Sequence, residues 1–493
     1  MSIDVSGLER AQGVARHVHV RTDAEMLRRF AVTAGIGWAI AFVVIGPWYA
    51  LQTYADGSIF SYAVAVEDAW AFHWHNIVGR VFVFLVSLLP AELYVGLTHD
   101  AGGGVVLYGV LFFAGQLLGL AATYAADRSP GRVIFAVGCL STACLCPLVF
   151  GFPTEMWMAH AVFWPALALA HYARGIGGTA AVFLALLALV FSYEGGIILA
   201  FAIVATLALR EVRGVALTRA AAAMVLVLAI WLAAHVVWPP DGYFAPVLSR
   251  AAQHVFDITV FTNDLMLLVY AALAGYGLAF LVLRPFHPTR AHLYAAGAVA
   301  LALSVYWLRF DQSLHAENRY YLRTLLFLAL PLLGMAAAGV ALAAEGRLDL
   351  VSSGLARLKA RHGTVARAAI GALALLMLVH TVETAKFVAA WNEYTRAVRA
   401  LAMSTRSDPA LGHPRFVSAA RLGEHLNRLS WFSTTPFLSV LLAPHHAPAR
   451  LVVDPTANYF WLACATAREN LAVERAVPVE SRRLILAYTC LHR

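Results

Sequence analysis

The chain has 493 residues, of which 61% are hydrophobic and only 13% charged, whereas about a quarter of the residues in a soluble globular domain are charged. This composition excludes a water-soluble enzyme, a disordered protein and a disulfide scaffold. The net charge is +8. Because no basic stretch alternates with aromatic residues, we interpret the excess as loop charge that orients a membrane protein, and we expect no nucleic-acid partner.

Apolar runs recur from residue 30 to residue 385, and each is long enough to cross or nearly cross a hydrocarbon core of about 30 Å. The predicted fold class is therefore an all-α polytopic membrane protein with about 11–13 transmembrane helices. We predict helical segments at 30–52, 76–97, 105–125, 133–152, 157–173, 178–192, 195–210, 217–238, 259–283, 291–308, 324–344 and 367–385.

Arginine placement predicts the topology of these segments. Loops rich in arginine favour the cytoplasm, which assigns the alternating loops to the outside. Cytoplasmic loops are expected at 127–132, 174, 210–213, 284–290 and 345–367, and outer loops at 153–155, 192–195, 239–257 and 309–323. The expected location is the bacterial inner (cytoplasmic) membrane.

Three regions follow from this topology. Residues 1–29 form a cytoplasmic N-terminal segment, and residues 30–385 form the transmembrane domain with an outer loop at 53–76. Residues 386–493 are polar and contain a predicted strand at Arg450–Val453, so they are expected to fold as a small α/β or α+β domain outside the membrane. Cys464 and Cys490 lie in this domain, where an oxidising compartment would let them pair.

Two segments conflict with a simple count of crossings. Residues 178–209 form one apolar run, which as a straight helix would be about 48 Å long, so we expect a break at Tyr193–Gly196. An inside N-terminus and an outside C-terminal domain require an odd number of crossings, whereas twelve segments are predicted. The segment 76–97 is the least suited to cross because it contains Arg80, Pro90 and Glu92, although an outside N-terminus or another misassigned segment would also restore parity.

The outer loop after the first span carries the first candidate catalytic residue, Asp56. A carboxylate at the membrane surface can accept a proton from the hydroxyl group of an acceptor. Asp56 can equally be the N-cap of a following helix. Phe60, Val64 and the pair Glu67–Asp68 follow at helical spacing, which predicts an amphipathic helix lying on the membrane surface.

Two further acids are expected at the same face of the membrane. Glu155 lies between two apolar spans, and Glu194 interrupts the long run at 178–209. A carboxylate at membrane depth costs about 2.5–3.5 kcal/mol on insertion scales, so it is usually paired or lines a polar cavity. Glu194 is a candidate site residue or a staple of the helix break, and Glu155 is a candidate site residue, a solvated loop residue or a partner of Thr154 in a helix cap.

His73 and His75, with Glu67 and Asp68, raise the question of a metal. Imidazole and carboxylate ligands suit Zn²⁺ or Mn²⁺. The spacing of a metalloprotease helix is absent, and a histidine between Trp70 and Trp74 is also typical of a headgroup anchor. A divalent cofactor, Mg²⁺ or Mn²⁺, is left open.

The loop 309–323 contains the sequence His315-Ala-Glu317-Asn-Arg319-Tyr320-Tyr. An arginine just outside a span can clamp a phosphate with its planar fork of N–H donors, and tyrosines lie well at headgroup level. The alternative interpretation is an aromatic belt at the membrane surface, next to an arginine that only sets the orientation of the helix, because such a segment would have the same composition.

Together these features resemble the GT-C superfamily of membrane glycosyltransferases, which use polyprenyl-phosphate sugars and include protein O-mannosyltransferases and aminoarabinose transferases. The resemblance rests on Asp56 in the first outer loop, on Glu155 in a later one, on Arg319-Tyr320 before an apolar span with Pro331, and on the C-terminal outer domain. The chain departs from the usual pattern because Asp56 is followed by Gly57 where a second acid is common.

The resemblance implies an inverting glycosyltransferase that moves a sugar from a polyprenyl-phosphate donor to a glycan, lipid or protein acceptor on the outer face of the membrane. Asp56 and Glu155 would be catalytic, with Asp56 as the general base. The expected substrate-binding residues are Glu67, Asp68, His73, His75, Glu194, Glu317, Arg319 and Tyr320. A transporter or flippase, and a polysaccharide polymerase or ligase, are the alternative interpretations.

Overall fold

The computed structural model describes residues 5–70, 77–210, 214–239, 261–310, 318–347, 362–406, 408–431, 433–454 and 475–490, together with the single positions 249 and 253. Each of the twelve predicted apolar segments coincides with a helix. The helices before the C-terminal region are α1 Val5–Trp48, α2 Gly57–Ala65, α3 Val78–Thr98, α4 Ala101–Ala126, α5 Val133–Val149, α6 Glu155–Tyr172, α7 Gly175–Val190, α8 Gly196–Ala208, α9 Val215–Val237, α10 Asp264–Leu283, α11 Ala291–Arg309, α12 Asn318–Ala344 and α13 His362–Ala402.

Eight of the helices in the described ranges are long and apolar enough to cross a membrane. They are α3, α4, α9, α10 and α11, with α1 from Asp23, α12 from Leu322 and α13 from Val365. Helix α3 is among them although its sequence made it the segment least suited to cross. Arg80 lies in its first turn rather than at its middle, so the arginine does not interrupt the apolar part of the helix.

The predicted break in the 178–209 run is confirmed. Helix α7 ends at Val190 and α8 begins at Gly196, whose N–H donates to the Tyr193 carbonyl at 2.8 Å. A Cβ atom at position 196 would lie 2.1 Å from the Leu189 carbonyl oxygen. Only glycine therefore fits the point where the two short helices meet.

The loops predicted to be cytoplasmic meet at one end of the helix bundle, which we call the basic end. Arg28 at the start of the first span donates to the Gly131 carbonyl of the α4–α5 loop at 3.0 Å. Arg367 at the start of α13 pairs with Asp23 at 3.0 Å. Helices α1 and α13 therefore run in the same direction, away from this end.

The opposite end of the bundle carries Asp56, Glu155 and Glu194, and we call it the acidic end. The Trp391 indole of α13 donates to the Tyr49 carbonyl there at 2.9 Å, immediately beyond the end of α1. The contacts of Arg28 and Arg367 thus lie at one end of the described bundle, and Asp56, Glu155 and Glu194 lie at the other.

The C-terminal region continues from the bundle without a break. Helix α13 spans 41 residues and is about 61 Å long, so it passes straight through the predicted boundary at residue 386. The predicted strand is confirmed at β2 Leu451–Val453, which pairs in parallel with β1 Phe416–Ser418. Helices α14 Glu424–Asn427, α15 Thr435–Leu442 and α16 Val479–Cys490 complete the described part. Cys490 is disulfide-bonded, whereas Cys464 lies outside the described residues.

Helix α2 is present, but the expectation that it lies on the membrane surface is wrong. All nine of its residues are buried, because α4 covers one side and α15 of the C-terminal region covers the other. The rings of Tyr62 and Phe437 are 5.2 Å apart across the second contact. A helix covered on both sides needs apolar residues on both faces, which the sequence Gly57-Ser-Ile-Phe-Ser-Tyr-Ala-Val-Ala provides.

Candidate functional site at the acidic end

Asp56 lies on a tight return of the chain between α1 and α2. A short 3₁₀ turn at Leu51–Thr53 is flanked by Ala50 and Ala55, which have φ values of 52° and 50°. A left-handed conformation costs a residue with a Cβ atom about 1–2 kcal/mol. Strain of this kind persists only where the surrounding structure holds it, and it is common around functional groups.

Gly57 explains how this return packs. A Cβ atom at position 57 would lie 2.2 Å from the Gln52 carbonyl oxygen and 2.6 Å from Pro153. Glycine at position 57 therefore has a steric reason, since no side chain fits between the turn and the loop that leads to Glu155.

The Asp56 carboxylate does not cap α2. Asp56 occupies the N-cap position, but its side chain accepts no hydrogen bond from the helix, so that alternative is excluded. The carboxylate instead accepts a hydrogen bond from the Trp431 indole of the C-terminal region. Burial raises the pKa of Asp56 to about 6, and the like charge of Glu155 adds to the rise, whereas Arg323, Arg80 and the Trp431 hydrogen bond oppose it.

Glu155 and Glu194 are joined by one guanidinium group. Arg80 Nη1 donates to Glu155 Oε1 at 2.7 Å, and Arg80 Nε donates to Glu194 Oε1 at 2.8 Å. The three side chains are 12%, 7% and 14% exposed, respectively. We call this set the Arg80 triad. Of the two roles left open for Glu194, the contact with Arg80 agrees with a carboxylate that is paired at the helix break.

The local backbone structure orients the side chains of the Arg80 triad toward one another. Thr154 caps α6 by accepting from the Met156 N–H at 3.4 Å, which places Glu155 in the first turn. The Phe82 N–H of α3 donates to the Phe191 carbonyl at 3.0 Å. This backbone bond holds the first turn of α3 against the break between α7 and α8, where Glu194 lies.

A second arginine, Arg323, completes the cluster. Its charge acts on Asp56 more strongly than that of any other ionised group. It lies in the second turn of α12. Arg319 and Tyr320 belong to the first turn of α12, but only their backbone lies within the description, so the role assigned to them stays a prediction.

Three carboxylates and two guanidinium groups therefore meet at the acidic end, drawn from α3, α6, α12 and two loops. Glu155 and Glu194 are held as charge partners of Arg80, and Asp56 is the carboxylate with a raised pKa. A half-buried carboxylate that titrates near neutrality can accept and release a proton, and a nearby guanidinium can stabilise a developing negative charge.

Glu67 and Asp68 lie apart from Asp56 and the Arg80 triad, at the other end of α2. They follow the C-terminus of α2, and its nine residues separate them from Asp56 by about 14 Å of helix rise. Arg475 donates to the Val66 and Glu67 carbonyls, both at 2.6 Å. The physical reason is that α2 is a straight helix whose two ends contact different parts of the C-terminal region.

The remaining predicted residues, His73, His75 and Glu317, lie outside the described residues. Within the described ranges, no group of three or more His, Cys, Asp or Glu side chains is arranged to hold a metal ion. Metal dependence therefore stays an open prediction.

Sequence reasoning missed Arg80, Arg323 and Trp431 as site residues. Arg80 did carry a signal, because an arginine in an apolar helix must be paired and the two unpaired acids of the predicted outer loops were its natural partners. Trp431 is too far away in sequence to be found without the tertiary structure.

Comparison with known proteins finds no match among protein-family models, curated proteins or solved structures.

Proposed function

We propose that the protein is an integral-membrane glycosyltransferase of the inverting type, which uses a polyprenyl-phosphate sugar as donor and a hydroxyl group of a glycan, lipid or protein as acceptor. The observation that carries the proposal is the Asp56 carboxylate, which caps no helix, has a pKa of about 6 and lies beside Arg323 and Arg80. A general base works best when its pKa lies near the working pH.

The proposed chemistry uses Asp56 and Arg323 in complementary roles. The Asp56 carboxylate takes the proton of the acceptor hydroxyl group while the acceptor oxygen forms a bond to the anomeric carbon from the face opposite the phosphate. The bond between that carbon and the phosphate oxygen breaks, and the electron pair leaves with the lipid phosphate. Arg323 stabilises the negative charge that grows there, and inversion at the anomeric carbon follows from attack opposite the leaving group.

The Arg80 triad has a positioning role in this proposal. Glu155 and Glu194 are already paired with Arg80 at 2.7 and 2.8 Å, so both are less available than Asp56 to accept a proton. The triad fixes α3, α6 and the α7–α8 break around Asp56. This assigns Glu155 to positioning and leaves Asp56 as the catalytic carboxylate.

A transporter or flippase is less well supported by the same observations. Such a protein needs ionisable groups near the middle of the membrane, whereas the acids of this cluster lie at helix ends and loops. Trp431 of the C-terminal region contacts Asp56. An enzyme that binds its acceptor above the membrane needs such a contact between the outer region and the catalytic carboxylate, whereas a transport pathway does not.

Purified protein incubated with a panel of polyprenyl-phosphate sugars tests the proposal, with release of lipid phosphate as the readout. Asp56→Asn should lower the transfer rate by about 10²–10⁴-fold, the usual contribution of a general base, and leave folding intact. Asp264→Asn, an exposed aspartate at the start of α10, is the matched control. Normal turnover by Asp56→Asn would refute the assignment of the base.

The rate should also depend on pH in a defined direction. Because the base must be deprotonated and the pKa of Asp56 is about 6, the transfer rate should be constant above neutrality and fall about tenfold per pH unit below about 6. A rate that is flat down to pH 4.5 would contradict the proposed role of Asp56.

A further inference from the structure

A surface groove runs along α1 and α13 and plays no part in the proposed sugar transfer. Its volume is about 850 Å³, within the range of about 300–1,000 Å³ that is typical of ligand sites. Both helices line the groove with small residues, Gly37 and Ala41 on α1 and Ala385 and Ala389 on α13. Larger apolar side chains, such as Ile45 and Val388, line the rest of the groove.

The part of the groove with two walls is about one membrane leaflet deep. It begins where the Trp38 indole contacts the Met377 sulfur at 3.1 Å, and it ends at Tyr49 and Asn392. Trp38 and Tyr49 are eleven residues apart on the chain, which is about 17 Å along a helix. This is close to half of a hydrocarbon core of about 30 Å, so one acyl chain from one leaflet fits the length.

The acidic end of the groove carries positive charge. Arg396 lies one turn beyond Asn392 on the same face of α13, and Arg399 lies about one turn further, and both are exposed. Exposed Glu393 is the one acid among residues 393–402 of this helix. Arg396 is about 6 Å beyond Asn392 along the axis, which is the depth of the headgroup layer next to the hydrocarbon core.

Aromatic rings pack between helix α13 and the turn that carries Asp56. The Tyr54 ring contacts the rings of Phe387 and Trp391 with centroids 5.3 and 5.2 Å apart, and these three side chains are buried. The phosphate of the sugar donor is proposed to lie at Arg323, whose charge acts on Asp56, and Arg323 is not among the residues that line the groove. The occupant that suits the groove is a different lipid from the sugar donor.

We propose that this groove is a binding site for an anionic glycerophospholipid, with one acyl chain between α1 and α13 and the phosphate at Arg396. The chain length matches one leaflet, the walls are apolar, and the arginines complement a phosphate with its planar fork of donors. The proposal rests on the membrane placement of the protein and not on sugar transfer, so the two can fail separately.

The test is native mass spectrometry of the full chain released from nanodiscs that contain equal amounts of phosphatidylglycerol and phosphatidylcholine. The wild-type protein should retain one phosphatidylglycerol in preference to phosphatidylcholine. Ala385→Phe fills the groove and should reduce retained lipid about tenfold, as expected for an overfilled site. Arg396→Gln should reduce the preference for phosphatidylglycerol about fivefold.

Matched controls use exposed positions elsewhere on the bundle. Ala298→Phe in α11 and Arg309→Gln at the acidic end of the same helix should leave lipid retention at the wild-type level. Equal retention of both lipids by the wild type, or unchanged retention in Ala385→Phe, would overturn the site. Displacement of phosphatidylglycerol by an equal amount of a polyprenyl phosphate would also overturn it, since the groove would then belong to the donor lipid. Arg396→Gln keeps the test valid if Ala385→Phe does not fold.

Discussion

Removal of Arg80 is the perturbation whose size the structure determines best. The guanidinium group bonds two carboxylates at 2.7 and 2.8 Å, and all three side chains are no more than 14% exposed. Arg80→Met leaves Glu155 and Glu194 buried without their partner. Breaking a buried ion pair by removing one member costs about 3–5 kcal/mol, and we expect the free energy of unfolding to fall by that amount.

A triple variant separates the loss of the ion pairs from the cost of unpaired charge. Arg80→Met combined with Glu155→Met and Glu194→Met removes every charge of the triad and leaves no polar group in its place. Replacing a whole buried ionic cluster with hydrophobic residues of similar volume often changes stability little, so the triple variant should lie within about 2 kcal/mol of the wild type and be more stable than Arg80→Met alone.

The assay is unfolding in mixed detergent micelles titrated with sodium dodecyl sulfate and followed by tryptophan fluorescence. Arg483→Met is the control, because Arg483 pairs with Glu480 at the same distance of 2.7 Å but both side chains are more than 60% exposed. An exposed pair contributes about 0–1 kcal/mol. A loss of similar size in Arg80→Met and Arg483→Met, or a triple variant as unstable as Arg80→Met, would refute the reasoning.

Three further variants test the loops around α2. Trp431→Phe removes a hydrogen bond that stabilises the charged form of Asp56, so the pKa of Asp56 should rise. The pH below which the transfer rate falls should then be higher than in the wild type. An unchanged pH profile would contradict the contact between Trp431 and Asp56. Gly57→Ala places a Cβ atom 2.2 Å from the Gln52 carbonyl and should destabilise the protein by about 1–3 kcal/mol in the same unfolding assay, whereas wild-type stability would show that the turn can relax. Glu67→Gly relieves a left-handed residue with φ of 54° and should stabilise the fold by about 1 kcal/mol; a loss of stability would show that the Glu67 side chain matters more than its backbone strain.

Burial on both faces explains why the character of α2 was mispredicted. Phe60 and Val64 lie one turn apart and do form a helical stripe, and this spacing is the same whether a helix rests on lipid or is covered by protein. On one side the cover comes from Phe437 and its helix, about 375 residues further along the chain than Tyr62. A local pattern contains no information about a partner at that distance.

The amino-acid sequence by itself determined the helical segments, the break before Gly196 and the strand at Leu451–Val453, because length, hydropathy and turn residues act within a few residues of one another. It also placed Asp56, Glu155 and Glu194 at the same end of the bundle, because arginine-rich loops separate the two ends. Only the tertiary structure decided that Arg80 joins two of these acids and that Glu67 and Asp68 lie elsewhere. Such pairings depend on where distant helices come into contact. An unpaired charge becomes unfavourable only when it is buried, and burial arises only after the helices have packed.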